Sequence, residues 1–110
     1  MEPALTIRRL TASDPAPVSA AFAAVGWAKP VEQYERYLAE QEAGRRLALV
    51  AEIGGAFAGY ITLNWHPTYP PFQEVGLPEI QDLNVLPPFQ RRGLGAALIQ
   101  AAEDAARVQG

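Results

Sequence analysis

The chain of 110 residues contains no cysteine and a single histidine, His66. Because a thiol is absent, disulfide bonds and thiolate chemistry are excluded. No run of about 18 apolar residues and no apolar N-terminal segment of the secretory type occurs, so we expect a soluble, cytoplasmic protein without a membrane partner. Basic residues are also few: Lys and Arg number 9 against 12 Asp and Glu, and the net charge of −3 argues against a nucleic-acid partner.

Apolar side chains, in contrast, are abundant. They make up 49% of the chain and charged residues 19%, a balance typical of a globular protein rather than a disordered one. The length suits a single domain over residues 1–110 with a core of its own. No internal repeat or low-complexity segment interrupts it.

The spacing of apolar residues predicts four strands and three helices. Pro15 suits the first turn of a helix, with Ser13 or Asp14 before it as the cap, and Gly54-Gly55 is typical of a two-residue hairpin turn. The predicted strands cover 4–10, 46–53, 56–65 and 79–85, and the predicted helices cover the Ala-rich segment up to residue 25, then 31–43 and 93–108.

Two of these elements have predicted apolar faces. In the strand over 56–65, alternate residues are expected to share one face, namely Phe57, Gly59, Ile61, Leu63 and Trp65. The final helix has a stripe whose spacing suits packing on a sheet, formed by Leu94, Ala97, Leu98, Ala101, Ala102 and Ala105.

The most informative segment is 83–98, where a strand passes through a basic loop into an Ala- and Leu-rich helix. The strand ends in Pro87-Pro88, and Gly93 and Gly95 mark the start of the helix. Neither glycine carries a Cβ, so the backbone can approach a ligand closely. The free N–H groups of the first helical turn converge where the helix dipole favours negative charge, which predicts a turn that binds phosphate.

Two well-known phosphate loops do not fit this spacing. A P-loop needs Lys followed by Ser or Thr after its second glycine, whereas Gly95 is followed by Ala96-Ala97. A dinucleotide-binding fingerprint needs three glycines and, about 20 positions later, an acidic residue within a βαβ unit. Only two glycines are present here, and the sequence ends too soon for that unit. The alternative to a phosphate site is a strand–turn–helix corner with glycines for tight packing and two solvated arginines, Arg91 and Arg92.

The pattern Gln-x-x-Gly-x-Gly over 90–95, preceded by Leu-x-Val-x-Pro over 83–87, resembles the acyl-CoA pyrophosphate loop of the GNAT superfamily of N-acyltransferases. The order strand, two helices, three mostly antiparallel strands and helix is similar to the N-terminal part of that fold, so the resemblance covers essentially the whole chain. It implies a mixed α/β (α+β) fold. It also implies an acetyl-CoA-dependent N-acetyltransferase that acts on a primary amine of a small molecule or peptide, without a metal.

By this resemblance, the backbone N–H groups of Leu83 and Val85 are expected to bind the pantetheine and the thioester oxygen of acetyl-CoA. The pyrophosphate is expected on backbone N–H groups of the loop and the helix start, those of Arg92, Gly93, Leu94, Gly95 and Ala96. Gln90 and Arg91 would shape and charge the loop. Arg91 or Arg92 either reaches another CoA phosphate or is solvated.

Glu79 begins the central strand, where several members of the family carry the glutamate that deprotonates the amine. The resemblance therefore implies that Glu79 is the catalytic base, and the alternative is an exposed carboxylate at the strand end. His66 is the next candidate, because histidine titrates near neutral pH, although it stands in a Pro-rich loop. Asp82 is expected on the opposite side of the strand from Glu79, Gln81 and Leu83, in a structural role with bonds to neighbouring backbone.

No general acid is assigned, because the family's tyrosine lies on a helix after the segment present here, and Tyr69 is only a weak substitute. Several aromatic residues are candidates for lining an acceptor site, with the hydrophobic core as the alternative place for each. They are Trp27, Tyr34, Tyr37 and the aromatic residues of the loop 69–72.

A typical family member continues with a strand parallel to 79–85, and acyl-CoA lies in the V between these two strands. The sequence ends at residue 110, where that second strand would begin. We therefore expect an exposed edge at 79–85 and self-association through it, as a homodimer or another assembly. Truncation, completion by a partner chain and a reduced module without chemistry are the three explanations. The alternative function is accordingly a non-catalytic module that binds CoA or a partner.

Overall fold

The computed structural model describes residues 4–65, 79–90 and 93–109. In the described residues, the types and order of the elements are as predicted, a mixed α/β arrangement. None of the described helices is long and apolar enough to span a membrane. The elements are β1 (Leu5–Arg9), α1 (Pro15–Ala24), α2 (Val31–Glu42), β2 (Arg46–Ile53), β3 (Ala56–Asn64), β4 (Glu79–Val85), a short 3-10 turn (Pro87–Phe89) and α3 (Leu94–Gln109).

The four strands form one antiparallel sheet in the order β1-β2-β3-β4. Gly54 and Gly55 join β2 to β3 with φ values of 60° and 83°, which confirms the predicted hairpin turn. In the described part of the chain, β4 is an edge strand whose one neighbour is β3. The edge that carries the informative segment therefore keeps one side open.

Each face of the sheet is covered by helices and has its own apolar cluster. Helices α1 and α2 pack on one face and α3 packs on the other. Burial of a large apolar side chain contributes about 1.5–3 kcal/mol, so both faces stabilise the sheet. The buried members on the α1/α2 face are Leu10, Val18, Phe22, Tyr34, Tyr37, Ala48, Val50, Tyr60 and Leu86. Those on the α3 face are Leu47, Leu49, Ala51, Ala58, Ile61, Leu63, Leu94, Leu98 and Ala102.

The start of α1 differs in one detail from the prediction. Asp14 is the residue before the helix and its carbonyl accepts the N–H of Val18 at 2.9 Å, but its side chain makes no capping bond. The carboxylate instead accepts hydrogen bonds from Arg8 at 2.8 Å and from the backbone N–H of Thr11 at 2.7 Å. The Arg8 guanidinium lowers the pKa of Asp14, so this ion pair ties β1 to the start of α1.

A bulge in the β2–β3 pair changes which residues share a face. Ala51 pairs with Gly59 but Glu52 pairs with Phe57, so Ala58 is an extra residue on β3. The Phe57 ring consequently packs on the α1/α2 face, with its centroid 5.7 Å from that of Phe22. The predicted common face is therefore wrong for Phe57, while Ile61, Leu63 and Trp65 do share the α3 face.

Gly59 lies where β3 and β4 approach most tightly. A Cβ at this position would stand 2.7 Å from the backbone oxygen of Asn84 and 3.1 Å from Cα of Val85. We expect Gly59→Ala to push the two strands apart and to lower the free energy of unfolding by about 1–3 kcal/mol, as overpacking does. Denaturant unfolding followed by circular dichroism measures this loss.

Gly95→Ala is the matched control for stability, because a Cβ at Gly95 meets no heavy atom within 4 Å outside its own helix. Alanine is the better helix former, so this variant is expected to be as stable as the parent or slightly more stable. Equal stability of the Gly59→Ala variant and the parent would contradict the close approach of β3 and β4.

Candidate functional site

Leu83 and Val85, the two residues expected to bind the pantetheine and the thioester, lie on the edge strand β4. The N–H of Leu86 donates to the carbonyl of Ala58 at 2.8 Å, that is, toward β3. Successive residues of an antiparallel strand alternate between facing the neighbour and facing away from it. The N–H groups of Leu83 and Val85 therefore point away from β3, where they are open to a ligand.

The turn after β4 is tied back to that edge by Gln90. Its side-chain Nε2 donates to the carbonyl of Val85 at 3.0 Å. Within the turn, the N–H of Phe89 donates to the carbonyl of Leu86 at 2.9 Å. Gln90 therefore ties the end of the short 3-10 turn back to the last residue of β4.

The start of α3 has the geometry of an anion site. Gly93 has a φ of 75° and its carbonyl accepts the N–H of Ala97 at 3.0 Å, which is the first bond of the helix. The N–H groups of Leu94, Gly95 and Ala96 precede that bond and so have no partner within the helix. A Cβ at Gly93 or Gly95 would meet no heavy atom of the described residues within 4 Å outside the helix, which leaves space beside both in that part of the chain. A pyrophosphate fits this arrangement.

The side chain of Leu94 anchors this helix start to the sheet. It is 3% exposed and packs in the apolar cluster on the α3 face. Arg91 and Arg92, the other predicted members of the loop, lie outside the described residues. The described residues thus bring together the β4 edge, Gln90 and the α3 start.

A second bulge brings two polar residues of β4 to the same face. Thr62 pairs with Asp82 but Leu63 pairs with Ile80, so Gln81 is the extra residue. Gln81 accepts a hydrogen bond from Arg46 at 2.8 Å, and the same guanidinium donates to Thr62 at 2.9 Å. Gln81 and Asp82 therefore both contact side chains of the α2 face. The expectation that they face opposite sides is wrong.

Asp82 is the centre of a polar network that joins three elements. Its Oδ2 accepts hydrogen bonds from Tyr60 Oη at 2.6 Å, Tyr37 Oη at 2.8 Å and Gln33 Nε2 at 3.2 Å. Its Oδ1 accepts one from Asn84 Nδ2 at 2.6 Å. These partners come from α2, β3 and β4. Asp82 thus binds side chains and not the neighbouring backbone that the sequence predicted.

The tyrosine hydroxyls in this network remain donors. Burial, followed by the hydrogen bond to Asp82, raises the pKa of Tyr37 and Tyr60. Burial also raises the pKa of Tyr34 to about 12, and its hydroxyl lies 3.3 Å from that of Tyr60. Because these hydroxyls keep their protons near neutral pH, Tyr37 and Tyr60 donate to the Asp82 carboxylate and Tyr34 donates to Tyr60.

Arg46 lies beside this network but is engaged by other groups. Its guanidinium stands 4.6 Å from the Tyr37 ring centroid and 3.4 Å from Glu40 Oε2, in addition to its bonds with Thr62 and Gln81. The side chain is 9% exposed, and its Nε has no hydrogen-bond partner in the part of the chain that the structure describes. No Lys or Arg nitrogen of the described residues lies within 4 Å of the Asp82 carboxylate.

The remaining predicted residues are placed as follows. Of Glu79 only the backbone is described; it begins β4 and pairs with Asn64. His66 and the loop 69–72, with Tyr69, lie outside the described residues. Trp27 stacks on Phe22 at 5.5 Å, and Tyr34 is 1% exposed in the core. Of the three described aromatic candidates, Tyr37 is the one whose hydroxyl reaches β4 directly.

The sequence did not predict the network around Asp82. The sequence does contain two signals for it. Asp82 and Asn84 are alternate polar residues of a strand that follows a mostly apolar one, and Gln33, Tyr34 and Tyr37 have the spacing of one helix face. Strand alternation put Gln81 and Asp82 on opposite faces, whereas the bulge at Gln81 brings both to the α2 face.

Comparison with known proteins places the chain among acetyltransferases. Residues 11–110 match the model of the acetyltransferase (GNAT) family. A GNAT-family structure from Desulfovibrio desulfuricans is 23% identical, with a TM-score of 0.75 over 97% of this chain and 69% of that chain. The Brucella melitensis ribosomal-protein-alanine N-acetyltransferase is 22% identical, with a TM-score of 0.71 over 94% of this chain and 72% of that chain.

A third similar structure was solved with a ligand. It is yncA from Salmonella typhimurium with its cofactor acetyl-CoA, 25% identical, with a TM-score of 0.71 over 94% of this chain and 64% of that chain. A search of curated proteins found no match. The chain therefore spans between 64% and 72% of the lengths of these three structures.

Proposed function

The chain belongs to the GNAT family of acetyltransferases, and from that premise we propose that it transfers the acetyl group of acetyl-CoA to a primary amine of a small molecule or peptide. The observation that supports the proposal is two groups of backbone donors in the described residues. The N–H groups of Leu83 and Val85 point outward from the β4 edge, and those of Leu94, Gly95 and Ala96 have no partner within α3. The similar yncA structure holds acetyl-CoA.

In this proposal acetyl-CoA supplies the activated acetyl group, and the chain supplies binding, orientation and proton removal. The reaction joins the amine nitrogen to the acetyl carbon and breaks the carbon–sulfur bond. The departing CoA thiolate takes a proton from solvent and leaves as the thiol. Leu83 and Val85 orient the pantetheine and the thioester oxygen, and Arg92, Gly93, Leu94, Gly95 and Ala96 hold the pyrophosphate, with Gln90 and Arg91 shaping the loop. Donors aimed at the oxygen that becomes negative favour the transfer. Glu79 takes the proton that the amine loses.

The test separates binding from turnover. Isothermal titration calorimetry should detect binding of acetyl-CoA to the chain. S-acetylpantetheine, which lacks the pyrophosphate, should bind far more weakly. Release of free CoA thiol across a panel of amines measures turnover. The absence of any acetyl-CoA binding would overturn the proposal, and equal affinity for the two thioesters would overturn the assignment of the pyrophosphate loop.

The second candidate function is a non-catalytic module that binds CoA or a partner through the open β4 edge. It is favoured by the position of β4, which has one neighbouring strand among the described residues. Acetyl-CoA binding without turnover of any amine would support this candidate over the first. We place either activity in the cytoplasm, and fractionation of a cell that expresses the protein is the corresponding test.

We further propose that the 110-residue chain self-associates through β4. Ile80 and Leu83 on this edge strand are 42% and 37% exposed. An edge with open N–H and C=O groups pairs readily with another strand, and a charge on it prevents pairing. We expect size-exclusion chromatography with light scattering to give a dimer or larger species for the parent and a monomer for Ile80→Lys. Leu5→Lys, on the opposite edge and 45% exposed, is the control that should leave the assembly unchanged; a monomeric parent would contradict the proposal.

A further inference from the structure

The Asp82 carboxylate is held by hydrogen bonds and not by a cation of the described residues. Tyr37, Tyr60 and Gln33 donate to Oδ2, whereas Oδ1 receives one hydrogen bond, from Asn84. A carboxylate has about four lone-pair sites, and because three donors share Oδ2, one site on Oδ1 is left for another donor. Asp82 is half-buried, and no cation of the described residues pairs with it within 4 Å. A partly buried carboxylate with hydrogen bonds but no cation is costlier than a paired one, which favours a ligand that brings the opposite charge.

The position of Asp82 relates this charge to the proposed reaction. Asp82 immediately precedes Leu83, whose N–H faces the open edge at the proposed thioester site. The side chains of Asp82 and its β4 neighbour Asn84 instead face the α2 side, where Gln33 and Tyr37 meet them. A group bound to Oδ1 would therefore lie on the α2 side of β4, the strand whose edge is proposed to hold the acyl donor.

We propose that Asp82 is the group that binds the acceptor as a cation, so that the substrates of this chain are amines that arrive in their ammonium form. The inference rests on the proposed acetyl transfer and deepens it. An ammonium group has three donors and no acceptor, so it complements the open position of Oδ1. Tyr37, Tyr60, Gln33 and Asn84 orient the carboxylate by their bonds to it and determine how an acceptor approaches.

The test uses two ligands of the same shape. At neutral pH n-butylamine is charged and n-butanol is not. In an NMR titration of the parent chain, we expect n-butylamine to shift the signals of Asp82, of the Asn84 side-chain amide and of the Gln33 side-chain amide. We expect n-butanol to leave them nearly unchanged. Equal shifts with the two ligands, or amine-specific shifts confined to other residues, would overturn the inference without requiring any variant.

Asp82→Asn keeps the shape and removes the charge. We expect it to weaken n-butylamine binding at least about tenfold, since a charge-assisted hydrogen bond is lost, and to leave n-butanol binding unchanged. Asp104→Asn removes the same charge from an exposed position on α3 and should bind the amine like the parent. Tyr37→Phe keeps the charge and should retain most of the amine affinity. Unaltered amine binding by a folded Asp82→Asn variant would overturn the inference.

Acetyl-CoA calorimetry on the same samples separates this inference from the proposed function. Asp82→Asn is expected to bind acetyl-CoA as tightly as the parent, because the donors for the thioester and pyrophosphate are backbone groups of other residues. A parent that fails to bind acetyl-CoA would refute the proposed acetyl transfer on which the inference rests. A parent that binds acetyl-CoA but does not distinguish n-butylamine from n-butanol would refute the role of Asp82 alone.

Discussion

Gly95→Val is expected to abolish acetyl-CoA binding while the fold persists. The branched side chain would enter the open space beside the first turn of α3, where a Cβ meets no heavy atom of the described residues within 4 Å. That space is the proposed pyrophosphate site, and the valine would keep the phosphate oxygens away from the N–H groups of Gly95 and Ala96. Two lost hydrogen bonds to a charged group, each worth about 1.5–3 kcal/mol, correspond to a loss of roughly 100-fold or more in affinity. Calorimetry with acetyl-CoA measures it.

Two further variants define the cause of that loss. Gly95→Ala adds a single methyl group and should weaken binding less than valine does. Glu103→Val places the same branched residue on an exposed position of α3, away from the loop, and should bind acetyl-CoA like the parent. Circular dichroism verifies that each variant is folded. If Gly95→Val binds acetyl-CoA as tightly as the parent, the assignment of the loop is wrong.

The structure separates the two glycines that the sequence treated alike. Gly93 has a φ of 75°, a conformation that L side chains rarely adopt, whereas Gly95 lies within α3. Valine at position 93 would therefore strain the backbone with or without ligand. A loss of binding could then come from a changed helix start and not from a lost phosphate contact. Gly95 is the position at which the phosphate contact can be tested by itself.

The elements themselves were predictable because local chemistry determines them. Gly54-Gly55 can adopt positive φ at both positions, and this alone predicts the hairpin of β2 and β3. Strand β4 has the predicted bounds, Glu79–Val85, and α3 begins one residue after its predicted start, at Leu94. The resemblance to the GNAT loop also gave the correct family, because the glycine pattern and its flanking strand and helix are contiguous in sequence.

The faces of β3 and β4 were not predictable in the same way. A period of two residues assumes regular pairing, but Ala58 and Gln81 are bulge residues and each shifts the residues beyond it. A bulge depends on how the two strands pair, and no local pattern of β4 records that pairing. Gln81 and Asp82 were therefore assigned to opposite faces of the strand.

The polar network follows from the same bulge. With Gln81 and Asp82 both on the α2 face, one amide meets Arg46 and one carboxylate meets Tyr37 and Tyr60. Arg46 is bound by Gln81 and lies near Glu40, whereas the Asp82 carboxylate has no cation of the described residues within 4 Å. The proposed amine binding and the proposed proton removal belong to different residues of β4, Asp82 and Glu79, so each can be tested by its own variant.

Glu79→Gln is expected to lower turnover roughly 100-fold or more, the usual contribution of a positioned general base, with little effect on acetyl-CoA affinity. The amide has the shape of the carboxylate but cannot take a proton from the attacking amine. Below the pKa of the amine most acceptor molecules are protonated, so the loss should be largest there and should diminish as the pH rises above that pKa. The pH dependence of kcat/KM for the parent and the variant, with acetyl-CoA saturating, measures this change.

Variants of the two β4 carboxylates, Glu79 and Asp82, should therefore differ in their effects on turnover and on amine binding. Glu79→Gln should change the pH dependence of turnover and leave n-butylamine affinity near that of the parent, whereas Asp82→Asn should weaken n-butylamine binding. Glu103→Gln, which makes the same substitution at an exposed position of α3, should have neither effect. An unchanged pH profile in Glu79→Gln would remove Glu79 as the base and move the assignment to His66, which His66→Gln then tests by the same measurement. If both variants retain the parent's profile, proton removal depends on neither Glu79 nor His66.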